Sequence, residues 1–289
     1  MLPLVLSYLP TQGYVPPSID DAHSPDIIPW MAEYGTGFGK QMALIILSII
    51  LIWAFFGSAM RKSSLVPGRL QWIAESGYAL VRNTIGKDIL GEKHFRQWIP
   101  LLFATFFFVL LNNLFGAIPL LQLPSFSHAG SAYAIALIVY IIWIGVGVRH
   151  HGVKYFKLAV VPEGVPGWIL PLLVPLEFIS NFLVRPLTHS LRLMATMLAG
   201  HMIVMLAGSG ADYLITQTDS LFNAGLGIGV IIGSVALYFF ELLIMILQAY
   251  VFVLLTALYI QGAIAAQAEP IFDENNDPAV KQQQPAMAS

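Results

Sequence analysis

Six ionisable side chains, Glu177, Arg185, His189, Arg192, His201 and Glu241, stand inside apolar stretches of this chain, as do the polar residues Asn112, Asn113, Thr196 and Gln248. A charge at bilayer depth costs on the order of 2.5 kcal/mol even on a lenient insertion scale, so such groups are functional candidates by default. An imidazole titrating at about pH 6.5 beside a carboxylate is a proton relay wherever water reaches it. His201 and Glu241 offer that couple, and the competing account is a buried ion pair or hydrogen bond. Arg192 cannot relay protons, because a guanidinium stays protonated at any working pH. It attracts a carboxylate by about 4 kcal/mol at about 4 Å and an effective dielectric near 20. Its own helical stripe offers no free acid, so the complementary carboxylate is expected from another subunit. Glu177 and Arg185 admit a second account as near-interface groups that snorkel, and Asn112, Asn113 and Gln248 one as hydrogen-bonders between helices.

At about 100° per residue, Arg185, His189, Arg192, Thr196 and Ala199 share one narrow stripe of a helix. Ala195, Ala199 and Gly200 keep the surface near Arg192 small, as membrane interfaces between helices prefer. The stripe is therefore expected to be a docking face for a partner. His201, nine residues after Arg192, is expected on the opposite face, pointing back into the chain.

Composition dictates where these residues must work. Of 289 residues, 57% are apolar and 10% charged, and the mean hydropathy is +0.74, which excludes a water-soluble globular domain. With 14 Lys+Arg against 16 Asp+Glu there is no broad basic face for nucleic acid. The absence of cysteine removes disulfides, thiolate zinc sites and cysteine nucleophiles. No GxxxxGK[ST], GxGxxG or HExxH occurs, so no nucleotide site, cofactor or metal is expected, and the chain is not expected to be an enzyme by itself.

Five apolar regions are long enough to cross about 30 Å of hydrocarbon: 38–60, 97–121, 131–148, 164–208 and 222–266. They predict an all-α integral membrane protein with three parts: an acidic extracytoplasmic arm over 1–37, a single polytopic domain over 38–268 and a polar tail over 269–289. A stretch around residues 66–73 reads as an amphipathic helix on the cytoplasmic surface. If each region crosses once, eleven of the 14 basic residues fall on one side: seven within 61–96, with Arg149, Lys154, Lys157 and Lys281. The positive-inside rule makes that side cytoplasmic, the N-terminus outside and the C-terminus inside.

The last region spans 45 residues, about 67 Å of helix, roughly twice the hydrocarbon thickness. Between Tyr238 and Gln261 nothing makes a turn, so one long, steeply tilted helix is expected. Pro171, Pro175 and Pro186 are expected to break the early part of the region before it. If the two long helices form an antiparallel hairpin, His201 with Glu241 and Arg192 with Gln248 share one register, pivoting near residue 220, with Arg192 outward and Gln248 on its flank.

Residues 186–201, Pro-Leu-Thr-His-Ser-Leu-Arg-Leu-Met-Ala-Thr-Met-Leu-Ala-Gly-His, resemble the signature of subunit a of the F-type ATP synthase. Residues 247–259, Leu-Gln-Ala-Tyr-Val-Phe-Val-Leu-Leu-Thr-Ala-Leu-Tyr, resemble that family's second signature. The resemblance implies that Arg192 is the essential stator arginine facing a ring of c subunits, with Gln248 beside it. It implies that Asn113, His201 and Glu241 line an outer half-channel and that Glu177 lies close to the acid of an inner one. Arg185 stands where relatives often carry a basic residue. Thr196 departs from the family's usual asparagine, Gly116 stands where some relatives carry an aspartate, and Met194 replaces a common phenylalanine.

The implied partners are the c-ring carboxylates, b-type peripheral stalk subunits, the lipid bilayer of a bacterial cell membrane, and protons. Rival functions are a self-contained ion channel or secondary transporter, and a purely structural scaffold. The first predicts internal repeats or a midplane substrate pocket, which the sequence does not display.

Overall fold

The computed structural model describes residues 16, 40–61, 68–118, 125–126, 129–161, 169–216 and 221–265. The acidic arm, apart from Pro16, and the polar tail lie outside the described residues, as do Pro124, His128, Asp219 and Lys281. Among the described residues all regular structure is helical, and five helices are long and apolar enough to cross a membrane.

Helix α1, Lys40–Met60, is an apolar run without proline. It meets the rest of the protein through Leu44, Ser48 and Ala59, which fall on one face, while Ile49, Ile50 and Trp53 are exposed, as lipid-facing residues are. Helix α2, Arg69–Leu80, starts at Gly68 and exposes Leu70, Trp72 and Ile73; it overlaps the stretch expected to be an amphipathic helix, 66–73, whose residues 66 and 67 lie outside the described residues. A π-helical turn, Val81–Lys87, joins it to α3, Asp88–Phe115. The helical course breaks at Gly91, with φ 70° and ψ 166°, a conformation that strains residues with a Cβ. This break lets the surface helix and the second span take different directions.

Helix α4, Ala129–His151, is the third span, and the short α5, Lys154–Val160, follows it. Helix α6, Leu170–Ile179, passes through a π-helical turn, Ser180–Val184, into α7, Arg185–Thr216. The chain stays helical through Pro171, Pro175 and Pro186, although the α-helical ladder gives way to the π turn just before Pro186. Pro171 sits at the start of α6, where no backbone donor is needed. Pro186 follows the wider π turn, and the carbonyl it cannot serve four residues back, that of Phe182, instead accepts the Tyr140 hydroxyl at 3.2 Å.

Helix α8, Leu221–Ala265, is 45 residues without a break, the length the sequence predicts. It packs antiparallel on α7. A side chain at Gly227 would run into Ile215, Gly200 lies against Glu241, and the His189 and Phe252 rings are in contact, so the index sums of facing residues agree to within one. This is the expected hairpin register. The core is built from α3, α4 and α8, around Leu102, Phe106, Val109, Trp143, Phe252 and Ile260, all buried.

Candidate functional site

Two adjacent asparagines fix α3 in the bundle. They stand about 100° apart around the helix and so reach different neighbours. The Asn112 amide donates to Ser48 Oγ on α1 at 2.8 Å and to the Phe108 carbonyl at 2.8 Å. The Asn113 amide donates to the Met245 carbonyl on α8 at 3.2 Å. One turn before Met245 stands Glu241, buried, with Cγ and Oε1 each 3.0 Å from where a Cβ on Gly200 would lie. The Tyr238 hydroxyl donates to the Ala117 carbonyl, closing the end of α3 onto α8. Asn113 and Tyr238 thus join α3 to successive turns of α8 on either side of Glu241, beside Met197 and Met245, while Gly200 of α7 lies against that acid.

His201 is half-buried, as expected of a residue on the inner face of α7. It is not hydrogen-bonded to Glu241: the Oε1 atom of that acid is buried without a partner, and the residue pressed against it is Gly200. The couple read from the sequence thus shares a register without a direct bond.

A second polar group lies at the other end of α7. Asn181 donates to the Ala159 carbonyl at 2.6 Å and to Glu177 Oε2 at 3.1 Å, which holds the acid in place. Arg185 lies over the Trp143 and Tyr259 rings, 5.7 and 5.6 Å from their centroids, within the range of a cation–π contact. His189 is buried, its ring centroid 3.9 Å from that of Phe252, and its Nε2 has no partner. This corrects the expectation of a single outward docking stripe. Relative to Arg185, His189 is rotated about 40° one way and Arg192 about 20° the other. The stripe straddles the edge between the face covered by α8 and the open face, so His189 turns in while Arg192 turns out.

Arg192 lies between these groups, about 10 Å along the helix from Arg185 and about 13 Å from His201. Its side chain is exposed, and it makes no ion pair with any acid among the described residues. Gln248 stands within one residue of the position opposite it in the hairpin, buried, with Nε2 unpartnered. The Thr196 hydroxyl is turned back onto its own helix, 2.9 Å from the Arg192 carbonyl and 3.2 Å from that of Leu193. Sequence reasoning missed Ser48, Tyr140, Asn181 and Tyr238. Tyr238 carried a signal, since it lies one turn before Glu241 on the same face.

Buried polar groups are nearly always hydrogen-bonded. Against that tendency, side-chain atoms of Asn113, Glu241 and Gln248, and of Asn181 and His189, are buried without a hydrogen bond among the described residues.

The model of the family described as "ATP synthase A chain" matches residues 41–261. Proteins named ATP synthase subunit a from Pseudarthrobacter chlorophenolicus and Paenarthrobacter aurescens are 54% and 57% identical over 268 residues, 93% of this chain and the whole of each relative. Another of that name, from Streptomyces lividans, is 41% identical over 229 residues, 79% of this chain and 80% of its own length. With a family model covering most of its length and relatives this similar, the chain belongs to the ATP synthase A chain family.

Proposed function

We propose that this chain is the proton-translocating stator subunit of the F0 sector of a bacterial ATP synthase, working against a rotating ring of c-subunit carboxylates. The observation that carries the proposal is the exposed Arg192 guanidinium, which pairs with no acid among the described residues and stands between two polar groups at different heights along α7. The group of Asn113, His201, Glu241 and Gln248 lines the outer half-channel. The group of Glu177, Arg185 and His189 lines the cytoplasmic one, and Thr196 supports the turn after the arginine.

The physical logic is desolvation. A ring carboxylate facing lipid must be neutral, so it turns freely only when protonated. Beside Arg192 it is held charged, releases its proton to the cytoplasmic half-channel, and reloads through the outer one. The guanidinium also bars direct proton passage between the half-channels. Each charge crossing releases about 2.3 kcal/mol per 100 mV, and barring the leak keeps that energy for rotation.

In this assignment residues 1–37 form an outer arm, 38–268 the membrane domain and 269–289 a cytoplasmic tail. The α2 surface lies on the cytoplasmic side, b-type stalk subunits hold the chain still, and ATP chemistry belongs to other subunits. Arg192→Ala tests the assignment. The attraction lost, about 4 kcal/mol, corresponds to roughly a thousandfold, so ATP-driven proton pumping in inverted vesicles is expected to vanish while the complex still assembles. Unchanged coupling would show a scaffold instead, and conduction by the purified chain alone would show a self-contained channel.

A further inference from the structure

The last carbonyls of α5 have no partner inside the helix, as at any helix end. That of Ala159 accepts the Asn181 amide at 2.6 Å, and the same nitrogen donates to Glu177 Oε2 at 3.1 Å. A carbonyl and an ionised carboxylate only accept, so the amide nitrogen and not its oxygen belongs between them. Asn181 is 6% exposed, and its Oδ1 is left buried without a hydrogen bond among the described residues. An unmet buried acceptor is a cost that an apolar side chain in the same place would avoid. Packing alone therefore does not account for an asparagine here, whereas a tie to the acid does.

The backbone gives Asn181 its inward position. The π turn Ser180–Val184 holds one residue more than an α-helical course, so the residues before it are rotated by about 100° relative to α7. On an unbroken α-helix Asn181 would stand about 40° from Arg185 on the side of Arg192, toward the open face. The added residue carries it to the side of His189, where it is buried. The turn is fastened from two helices, by the Tyr140 hydroxyl of α4 on the Phe182 carbonyl and by the Ala159 carbonyl of α5 on Asn181. Glu177, four residues before Asn181 and so on the same face, is held against this fastened turn rather than left to swing on its own side-chain bonds.

We propose that Asn181 is a positioning residue for proton release, its amide tying the Glu177 carboxylate to the end of α5 so that the cytoplasmic half-channel offers the proton one fixed acceptor. The inference rests on the reading of Glu177 as a member of that half-channel. A proton passes between groups only at hydrogen-bond separation, about 2.6–3.2 Å, directly or through one water. A displacement of about 1 Å is enough to slow such a step many-fold, so an acid fixed at its oxygen transfers faster than one that rotates freely.

The test reads ATP-driven proton pumping by the intact complex in inverted vesicles, normalised to the amount of complex. Asn181→Ala should slow pumping roughly tenfold, the factor matching one hydrogen bond to a charged group. Glu177→Asp keeps the acid but draws its oxygens back by about 1.5 Å, out of reach of the amide, and should slow pumping by a similar factor. Because both changes break the same tie, the double variant should be less than about twofold slower than either single one. An asparagine that only supports the fold would multiply the two losses instead. Multiplied losses, or wild-type pumping in either single variant, would overturn the proposal. Asn181→Ser, which keeps one donor, carries the same cycle with a smaller loss should Asn181→Ala fail to assemble. Glu177→Gln separates the two levels of the inference: wild-type pumping there would remove the acid from the path and overturn the half-channel reading together with the tie, whereas multiplied losses with an impaired Glu177→Gln overturn the role of Asn181 alone.

Discussion

Replacing the hydrogen at Gly200 with a methyl group tests whether the hairpin is held at the spacing that proton transfer needs. In Gly200→Ala the new Cβ would lie 3.0 Å from Glu241 Cγ and Oε1 and 3.2 Å from Cδ. Carbon atoms rest at about 3.5–4.0 Å, so the acid must retreat by about half an ångström or the helices must part. Overpacking of this kind costs about 1–3 kcal/mol. A loss of about 1–2 kcal/mol at a transfer site is a factor of roughly 5–30 in rate. The rate of passive proton conduction through membranes stripped of the catalytic sector, normalised to the amount of complex, reads this directly. Gly208→Ala on the same helix is the control, since a Cβ there meets nothing within 4 Å and should leave conduction unchanged. A shorter acid relieves the clash, so Glu241→Asp combined with Gly200→Ala should lose less than the product of the single losses. If Gly200→Ala conducts as well as Gly208→Ala, the close approach of Glu241 to α7 plays no part in transport.

Asn112→Ala removes the bond from α3 to Ser48 and should lower stability by about 0.5–1.5 kcal/mol, read as earlier heat dissociation of the purified complex. Arg185→Gln loses the contact with the Trp143 and Tyr259 rings and should cost about 1–2 kcal/mol in the same assay, with Arg185→Lys recovering part of it. Tyr238→Phe frees the Ala117 carbonyl, and faster hydrogen exchange at residues 116–118 is expected, with a stability loss of about 0.6 kcal/mol.

Much of the fold was legible because a bilayer imposes simple lengths. The runs 38–60 and 222–266 became Lys40–Met60 and Leu221–Ala265, and the register read from the index sums of the polar pairs matches the hairpin although neither pair is bonded across it. Periodicity was less informative about the site, because it gives the angle of a residue around its own helix and not where the neighbouring axis lies. His189 and Arg192, only 60° apart in that projection, end on opposite sides of an interface boundary. The fate of Pro186 was hidden for a related reason. Its relief comes from Tyr140 on a distant helix, a long-range partner that local spacing does not reveal. His201 and Glu241 share a register, but which of residues 200 and 201 touches the acid depends on a fraction of a turn.

The two asparagines of α3 also set a timetable for biogenesis. Asn112 meets Ser48, 64 residues earlier in the chain and already made when it emerges. Asn113 must wait for Met245, 132 residues later, about 7–26 s at about 5–20 residues per second of synthesis. Throughout that interval the nascent protein carries an amide without its final acceptor, so the insertion machinery has to shelter this span until the last helix is released beside it.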